Sequence, residues 1–242
     1  MTYRTQGELQ TPVASTLHLV GVLGLLAAFP LLLWVTDALL IAHVPLDSPG
    51  HTRAMLRFAA VVTGYLWTLF AVTALWVRRG QHLVARPNPA SERNGAWGHL
   101  VAGMLTLLAL LVVGVGSSML LSHLGIGMGP LQYVAPVNRA EAGAFLVLSL
   151  SAGFVEEFVF RGYLQRQLES LTASLYAASF LQVAIFTAGH LYQGWARLPA
   201  VFLVGAVLTV TSKLRGSLVP GMVAHGLGDG LQCIVYLARS LA

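Results

Sequence analysis

The chain has 242 residues, of which 56% are hydrophobic and only 10% are charged, with a formal net charge of +5. Soluble domains carry about 25% charged residues, so this composition excludes a single water-soluble core. The basic residues are scattered over short loops rather than gathered in a stripe. This pattern excludes a nucleic-acid interface and favours the topology signals of a membrane protein.

Apolar stretches of about 20 residues, each long enough to cross a bilayer, follow one another along the chain. The sequence therefore predicts an all-α fold, a polytopic transmembrane helical bundle of about seven spans, with six to eight also compatible. Pro30 and Asp37 predict a kink or irregularity in the first span. The predicted spans are residues 17–42, 55–77, 99–122, 142–160, 172–190, 198–212 and 218–238.

The longest polar loop, at about residues 78–98, contains four arginines and two prolines. It predicts a boundary between N-terminal spans with their basic loop, residues 1–98, and a transmembrane core, residues 99–242. The single cysteine, Cys233, excludes an internal disulfide and is expected to be a small core residue.

The distribution of lysine and arginine predicts the orientation in the membrane. With the N-terminus in the cytoplasm, nine basic residues lie on the cytoplasmic side and five lie outside. The nine are Arg4, Arg78, Arg79, Arg86, Arg93, Arg161, Arg166, Lys213 and Arg215; the five are Arg53, Arg57, Arg139, Arg197 and Arg239.

Two adjacent carboxylates, Glu156 and Glu157, end the fourth span together with Arg161. A charge at bilayer depth costs roughly 2.5–3.5 kcal/mol, so such residues are usually paired and functional. Helical neighbours point about 100° apart, whereas residues four apart share a face. We therefore predict an ion pair between Glu157 and Arg161, which leaves Glu156 without a local cation and suited to act as a general base. Alternatively, both glutamates lie at the headgroup level, neutralised by Arg161 and Arg166.

Three further polar residues lie within or at the ends of later apolar spans. His190 ends the fifth span, and His225 and Asp229 share one helical face of the seventh. Taken singly, His190 could be interfacial, and His225 with Asp229 could form a polar bridge between helices. Together with the glutamates they form a polar constellation that a structural bundle does not need.

The order Glu156-Glu157-x-x-x-Arg161, Phe186-x-x-x-His190 and His225-x-x-x-Asp229 resembles the three motifs of the CAAX prenyl protease and bacteriocin-processing family, also called CPBP or Abi. The segment Lys213 to Pro220 resembles that family's lead into its third motif. The resemblance covers about residues 140–238.

This resemblance implies an intramembrane endopeptidase of the glutamate type that needs no cofactor or metal. In such an enzyme Glu156 activates water with help from His190, and Glu157 pairs with Arg161. His225 and Asp229 stabilise the oxyanion, although an ionised Asp229 cannot donate and would instead orient His225. The resemblance further implies a peptide or protein substrate at the lipid bilayer, and the composition favours a bacterial cytoplasmic membrane with the site near the cytoplasmic leaflet.

Three other functions remain open from the sequence. The site residues could bind zinc or cobalt in a metal-dependent membrane peptidase, although a His-Glu-x-x-His helix is absent. The chain could be a non-enzymatic immunity or scaffold protein, which would not need the complete set of polar residues. A transporter could use the same groups as a proton relay, but two matching halves are absent from the sequence.

Overall fold

The computed structural model describes residues 15–40, 44, 50–79, 95–126 and 136–239. Every regular element within these ranges is helical. A π-helical segment, Glu157–Leu164, joins α4 to α5 in one continuous helix, and two short 3₁₀ turns, Leu191–Gln193 and Trp195–Arg197, connect α6 to α7. The helices are α1 (Thr16–Leu40), α2 (His51–Arg79), α3 (Gly95–His123), α4 (Arg139–Glu156), α5 (Gln165–Thr172), α6 (Leu175–Gly189), α7 (Leu198–Arg215) and α8 (Val219–Arg239).

The predicted fold class, a polytopic helical bundle, is confirmed. Among the described residues, five helices are long and apolar enough to cross a membrane. The predicted spans at 172–190 and 218–238 also form helices, α6 and α8, but α6 is shorter and α8 is not among the five. The five segments are Thr16–Thr36, His51–Leu75, Gly95–His123, Arg139–Thr172 and Trp195–Arg215.

The long helix Arg139–Thr172 occupies the centre of the bundle, and its segment is the most buried of the five. Its α4 part packs between α2 and α8, while α8 also packs on α3. The α5 part packs on α6, which in turn packs on α7. The charged residues of the fourth predicted span therefore lie on the central helix, surrounded by the others.

Helices α4 and α8 cross in close contact at two glycines. A Cβ atom on Gly153 would lie 2.4 Å from the backbone nitrogen of Gly226, closer than atoms can approach. Only glycine therefore permits this crossing, and close approach through small residues is a common way for membrane helices to pack. Gly226 directly follows His225, and Gly153 precedes Glu156 by one turn. The crossing therefore sets the distance between the side chains of Glu156 and His225.

Several sequence predictions lie outside the described residues. They include most of the basic loop, at 80–94, and part of the stretch between the third and fourth spans, at 127–135. Helix α1 continues through Pro30 to Leu40, so any kink there does not end the helix, and the predicted kink stays a prediction.

Candidate active site

Glu157 and Arg161 form an ion pair in the interior of the bundle. Arg161 Nη1 donates a hydrogen bond of 2.9 Å to Glu157 Oε1, and neither side chain is exposed. Arg161 Nη2 donates to the carbonyl oxygen of Gly205 on α7, at 3.0 Å. A side chain on Gly221 of α8 would lie 2.9 Å from Glu157 Oε2, so glycine leaves the space that this carboxylate occupies. The pair thus joins the central helix to both α7 and α8.

His225 lies among three carboxylates. Its Nδ1 is 3.0 Å from Glu157 Oε1, and its Nε2 is 3.4 Å from Asp229 Oδ2 and 3.8 Å from Glu156 Oε2. The ring is buried, whereas the Asp229 side chain is 54% exposed. Carboxylate oxygens only accept hydrogen bonds when ionised, so a His225 with protons on both nitrogens can donate on both sides.

Glu156 faces a cavity that Glu157 does not reach. The cavity has a volume of about 400 Å³ and is lined by apolar side chains together with Glu156, Tyr65 and His190. Glu156 Oε2 makes no hydrogen bond within the described part of the chain. Glu157 Oε2 also lacks a partner, but it is fully buried and outside the cavity lining. Of the two neighbouring carboxylates, Glu156 therefore has room beside it for a water molecule or a substrate.

His190 caps the C-terminal end of α6 and lines the same cavity. Its Nδ1 lies 2.8 Å from the carbonyl oxygen of Phe186, one turn earlier. A carbonyl can only accept, so in neutral His190 the proton is on Nδ1 and Nε2 is left as an acceptor. The spacing of four residues between Phe186 and His190 thereby selects one tautomer of the imidazole.

Phe186 connects the histidine to the buried ion pair. Its ring is buried, with the Arg161 guanidinium carbon 4.5 Å from the ring centroid and the His190 ring at 4.5 Å. A cation over an aromatic face is attracted to the ring. Phe186 therefore packs between the structural cation and the histidine of the cavity, and the Phe186-x-x-x-His190 motif needs the aromatic side chain as well as the backbone carbonyl.

The predicted site residues thus come together from four elements, α4, the π segment, α6 and α8. Both glutamates are buried among the helices. Glu156 Oε2 lies 3.8 Å from His225 Nε2, and Glu156 and His190 line the same cavity. The sequence did not indicate that α1 and α2 line the cavity, because their apolar residues carry no motif.

The π-helical turn is another feature without a sequence signal. It begins at Glu157, directly after Glu156, and the backbone N–H of Gln165 donates to the carbonyl of Phe160, five residues earlier. Segments of this type frequently occur at functional sites. The wider turn still leaves Glu157 and Arg161 adjacent.

A metal site would need at least three ligating side chains close together. Within the residues that the structure describes, no group of three or more His, Cys, Asp or Glu side chains is arranged to hold a metal ion. The histidines instead face carboxylates and a backbone carbonyl, as described above. The predicted role of each site residue stays a prediction.

Comparison with protein families gives one match. Residues 138–231 match the family described as type II CAAX prenyl endopeptidase Rce1-like. This segment is Rce1-like, which confirms the resemblance found in the three motifs. The Rce1-like segment runs from the residue before α4 into α8 and includes all the predicted site residues. Comparison with curated proteins and with solved structures gives no significant match.

Residues 138–231 are thus similar to a family of CAAX-type membrane proteases, and the apolar helices fit an integral membrane protein. The match begins at residue 138, after α1 and α2, so these helices, which complete the cavity wall, lie outside the Rce1-like segment.

Proposed function

We propose that the protein hydrolyses a peptide bond of a membrane-anchored substrate with a water molecule activated by Glu156. The observation that carries this proposal is the asymmetry between the two glutamates. Glu157 is held by Arg161 at 2.9 Å and by His225 at 3.0 Å, whereas Glu156 lines the cavity and comes no closer than 3.8 Å to His225 Nε2.

In the proposed reaction, Glu156 takes a proton from water as the water oxygen attacks the scissile carbonyl carbon. His190 accepts a hydrogen bond from the same water through Nε2, the nitrogen left free by the bond to Phe186. The negative oxygen of the tetrahedral intermediate shares the proton on His225 Nε2 with Asp229, because Nδ1 faces Glu157. The proton on Glu156 then passes to the leaving amine as the carbon–nitrogen bond breaks.

The role proposed for Asp229 follows from its contact with His225. Its carboxylate oxygen is 3.4 Å from Nε2, which supports a role in orienting the imidazole by accepting its hydrogen bond. The motif resemblance had favoured donation by Asp229 to the oxyanion, but a carboxylate facing an N–H group acts as an acceptor.

The substrate is proposed to enter with an apolar group beside the scissile bond. Most of the cavity lining consists of leucine, alanine, phenylalanine and isoleucine side chains from α1, α2, the π segment and α6. Such a lining suits a lipid-modified or hydrophobic peptide tail, in line with the CAAX prenyl class named for the matching family. Peptide pheromones and bacteriocin leaders are hydrophobic alternatives.

We place the site near the cytoplasmic leaflet of a bacterial membrane. Lys213 pairs with Glu169, and Arg215 donates to the carbonyl oxygen of Gly98, so the end of α7, α5 and the start of α3 share one end of the bundle. This end collects basic residues, as cytoplasmic ends do. Glu156 lies on the central helix N-terminal to that end.

The test is Glu156→Gln, measured with purified protein in lipid vesicles. The reporter is a farnesylated peptide with a CAAX tail, carrying a fluorophore and a quencher on opposite sides of the scissile bond. Glutamine keeps the shape but cannot take the proton, so we expect turnover to be abolished while thermal stability is retained or increased.

Glu169→Gln serves as the control, because Glu169 pairs with Lys213 away from the cavity. We expect it to cleave at the wild-type rate. If the Glu156→Gln enzyme turns over as fast as wild type, Glu156 is not the base.

A further inference from the structure

We propose that Phe29 and Tyr192 form an aromatic clamp that positions the His190 imidazole for catalysis. The clamp makes α1, which lies outside the family match, a working part of the site. The catalytic consequence rests on the proposed role of His190, but the clamp itself concerns only the orientation of the His190 ring.

His190 contacts two aromatic rings. The Phe186 ring centroid is 4.5 Å away with the planes at 44°, and the Tyr192 ring centroid is 5.9 Å away and stacked at 29°. Phe29 of α1 contacts Tyr192 edge-on, with centroids 6.3 Å apart and planes at 84°. Stacked and edge-to-face pairs at these distances are attractive. The rings of Phe29, Tyr192, His190 and Phe186 thus follow one another from α1 to α6.

The turn that carries Tyr192 is fixed to His190 by backbone bonds. The N–H of Gln193 donates to the carbonyl of His190 at 2.9 Å, and the N–H of Gly194 donates to the carbonyl of Leu191 at 3.0 Å. Gly194 has φ of +89°, a conformation that side-chain-bearing residues rarely adopt. Tyr192 therefore has a defined position relative to His190 rather than that of a loose loop.

Phe29 is in turn anchored by α2. Its ring stacks on Tyr65 at 5.2 Å, and the Tyr65 hydroxyl donates to the carbonyl oxygen of Leu25 on α1. Phe29, Tyr65 and His190 also line the cavity together. The N-terminal helices therefore hold Phe29 against Tyr192, the ring that stacks on His190.

The clamp acts through the ring of Tyr192 rather than through its hydroxyl. The hydroxyl accepts a hydrogen bond from its neighbour Gln193, at 3.1 Å, and the contact with His190 is the stacking of the two rings. The stacked ring keeps His190 from rotating away from the Phe186 carbonyl, so Nδ1 keeps its proton and Nε2 stays directed for catalysis. Phenylalanine can replace Tyr192 in this role, and alanine cannot.

The direct test is the tautomer of His190 in protein labelled with ¹⁵N-histidine and reconstituted in lipid vesicles. The His190 signals are assigned by their loss in His190→Gln. We expect one tautomer, with the proton on Nδ1, in wild type and in Tyr192→Phe, and a mixture in Tyr192→Ala. Tyr176→Ala, a change at an 86% exposed tyrosine on the same helix as His190, should leave the spectrum unchanged.

Turnover of the farnesylated reporter gives the second measurement. We expect Tyr192→Ala to lower kcat roughly 10- to 100-fold with little change in KM, because a small misplacement of a catalytic group acts on the chemical step. Phe29→Ala should likewise give a mixture of His190 tautomers and a lower kcat, because it removes the ring that contacts Tyr192. Leu31→Ala, at a 61% exposed position of α1, is its control.

An unchanged His190 tautomer in both Tyr192→Ala and Phe29→Ala would overturn the clamp. So would a Tyr192→Phe enzyme that is as impaired as Tyr192→Ala. A rise in KM alone in Tyr192→Ala would also overturn it, because Tyr192 would then be a substrate contact. If Tyr192→Ala does not fold, Phe29→Ala carries the same test. If the Glu156→Gln enzyme keeps its turnover, the proposed function is wrong. The tautomer measurement would still test the clamp.

Discussion

Two adjacent glutamates have different surroundings because helical neighbours point in different directions. Glu157 lies inside the bundle against Arg161 and His225, and Glu156 faces the cavity. A buried carboxylate needs compensating charge and hydrogen bonds, and Glu157 obtains them from its own helix and from α8. Glu156, which lines the cavity, is the carboxylate that we propose as the base.

Breaking the buried pair should damage the fold. We expect Glu157→Ala and Arg161→Ala each to lower stability by about 3–5 kcal/mol, because each leaves an uncompensated buried charge. The double variant should lose less than the sum of the two. Thermal unfolding in detergent measures this coupling. Strict additivity of the two losses would show that the side chains do not interact energetically.

Asp229 should tolerate asparagine better than alanine. The amide oxygen of asparagine can still accept a hydrogen bond from His225 Nε2, so we expect Asp229→Asn to keep turnover within about tenfold of wild type. Asp229→Ala should lose about 10²–10³ in turnover, as for removal of an oxyanion-stabilising group. Cleavage of the reporter by the two variants tests this expectation. If the asparagine variant is as inactive as the alanine variant, the negative charge of Asp229 is needed.

At the scale of elements, the crossing of α4 and α8 brings the first and third motifs together. Neither helix contains the site alone: Glu156 and Glu157 come from one side of the crossing, and His225 and Asp229 from the other. The approach is close because Gly153 meets the backbone of Gly226. A change at this contact should therefore separate the motifs without altering any site residue.

Gly153→Ala should disrupt both packing and catalysis. The added methyl group would meet Gly226 at 2.4 Å and the Met222 carbonyl oxygen at 2.9 Å, so the helices must move apart. We expect a stability loss of about 1–3 kcal/mol, typical of overpacking, together with reduced turnover.

Gly143→Ala is the matched control on the same helix, since a Cβ there meets no atom within 4 Å. It should be neutral or stabilising, because alanine favours helix by about 1 kcal/mol over glycine. Thermal unfolding and reporter turnover of both variants test the contact, and equal behaviour of the two would contradict the proposed crossing.

At the scale of the whole molecule, the N-terminal helices complete a cavity whose chemistry lies in the core. Helices α1 and α2 supply Phe29, Pro30 and Tyr65 to its lining, and the core supplies Glu156 and His190. An apolar wall around a carboxylate and a histidine limits the access of bulk water to the reaction.

The orientation in the membrane can be tested with single cysteines, because the native Cys233 is buried. Cysteine at Leu214, an 80% exposed residue near the basic end, should react with a membrane-impermeant maleimide only in inside-out vesicles. Cysteine at Val137, 49% exposed and preceding α4, should react only in intact spheroplasts. The opposite pattern would place the basic end outside the cell.

Metal dependence separates the glutamate mechanism from its metal alternative. We expect a strong chelator to leave turnover unchanged and the active protein to hold well below one metal ion per chain. Elemental analysis of the purified protein, together with turnover of the same sample, shows whether activity depends on a bound metal. Stoichiometric zinc or cobalt that follows activity would reassign His190 and His225 as ligands.

The sequence alone determined the membrane class, the helical fold and the residues to examine. These depend on local patterns: apolar length predicts spans, spacing of four residues places Glu157 beside Arg161, and the motif order indicates the protease family. The cost of charge in a bilayer makes such residues conspicuous without any structure.

Only the tertiary structure decided how the polar residues divide their contacts. Which glutamate faces a cavity depends on the rotation of the central helix against α8, and that rotation is set by the Gly153 contact and the π turn. The contribution of α1 and the ring contacts of Tyr192 depend on packing between elements distant in sequence. Apolar residues that line a cavity and those that face lipid have the same composition, so the sequence could not distinguish them, and only their positions in the folded bundle do.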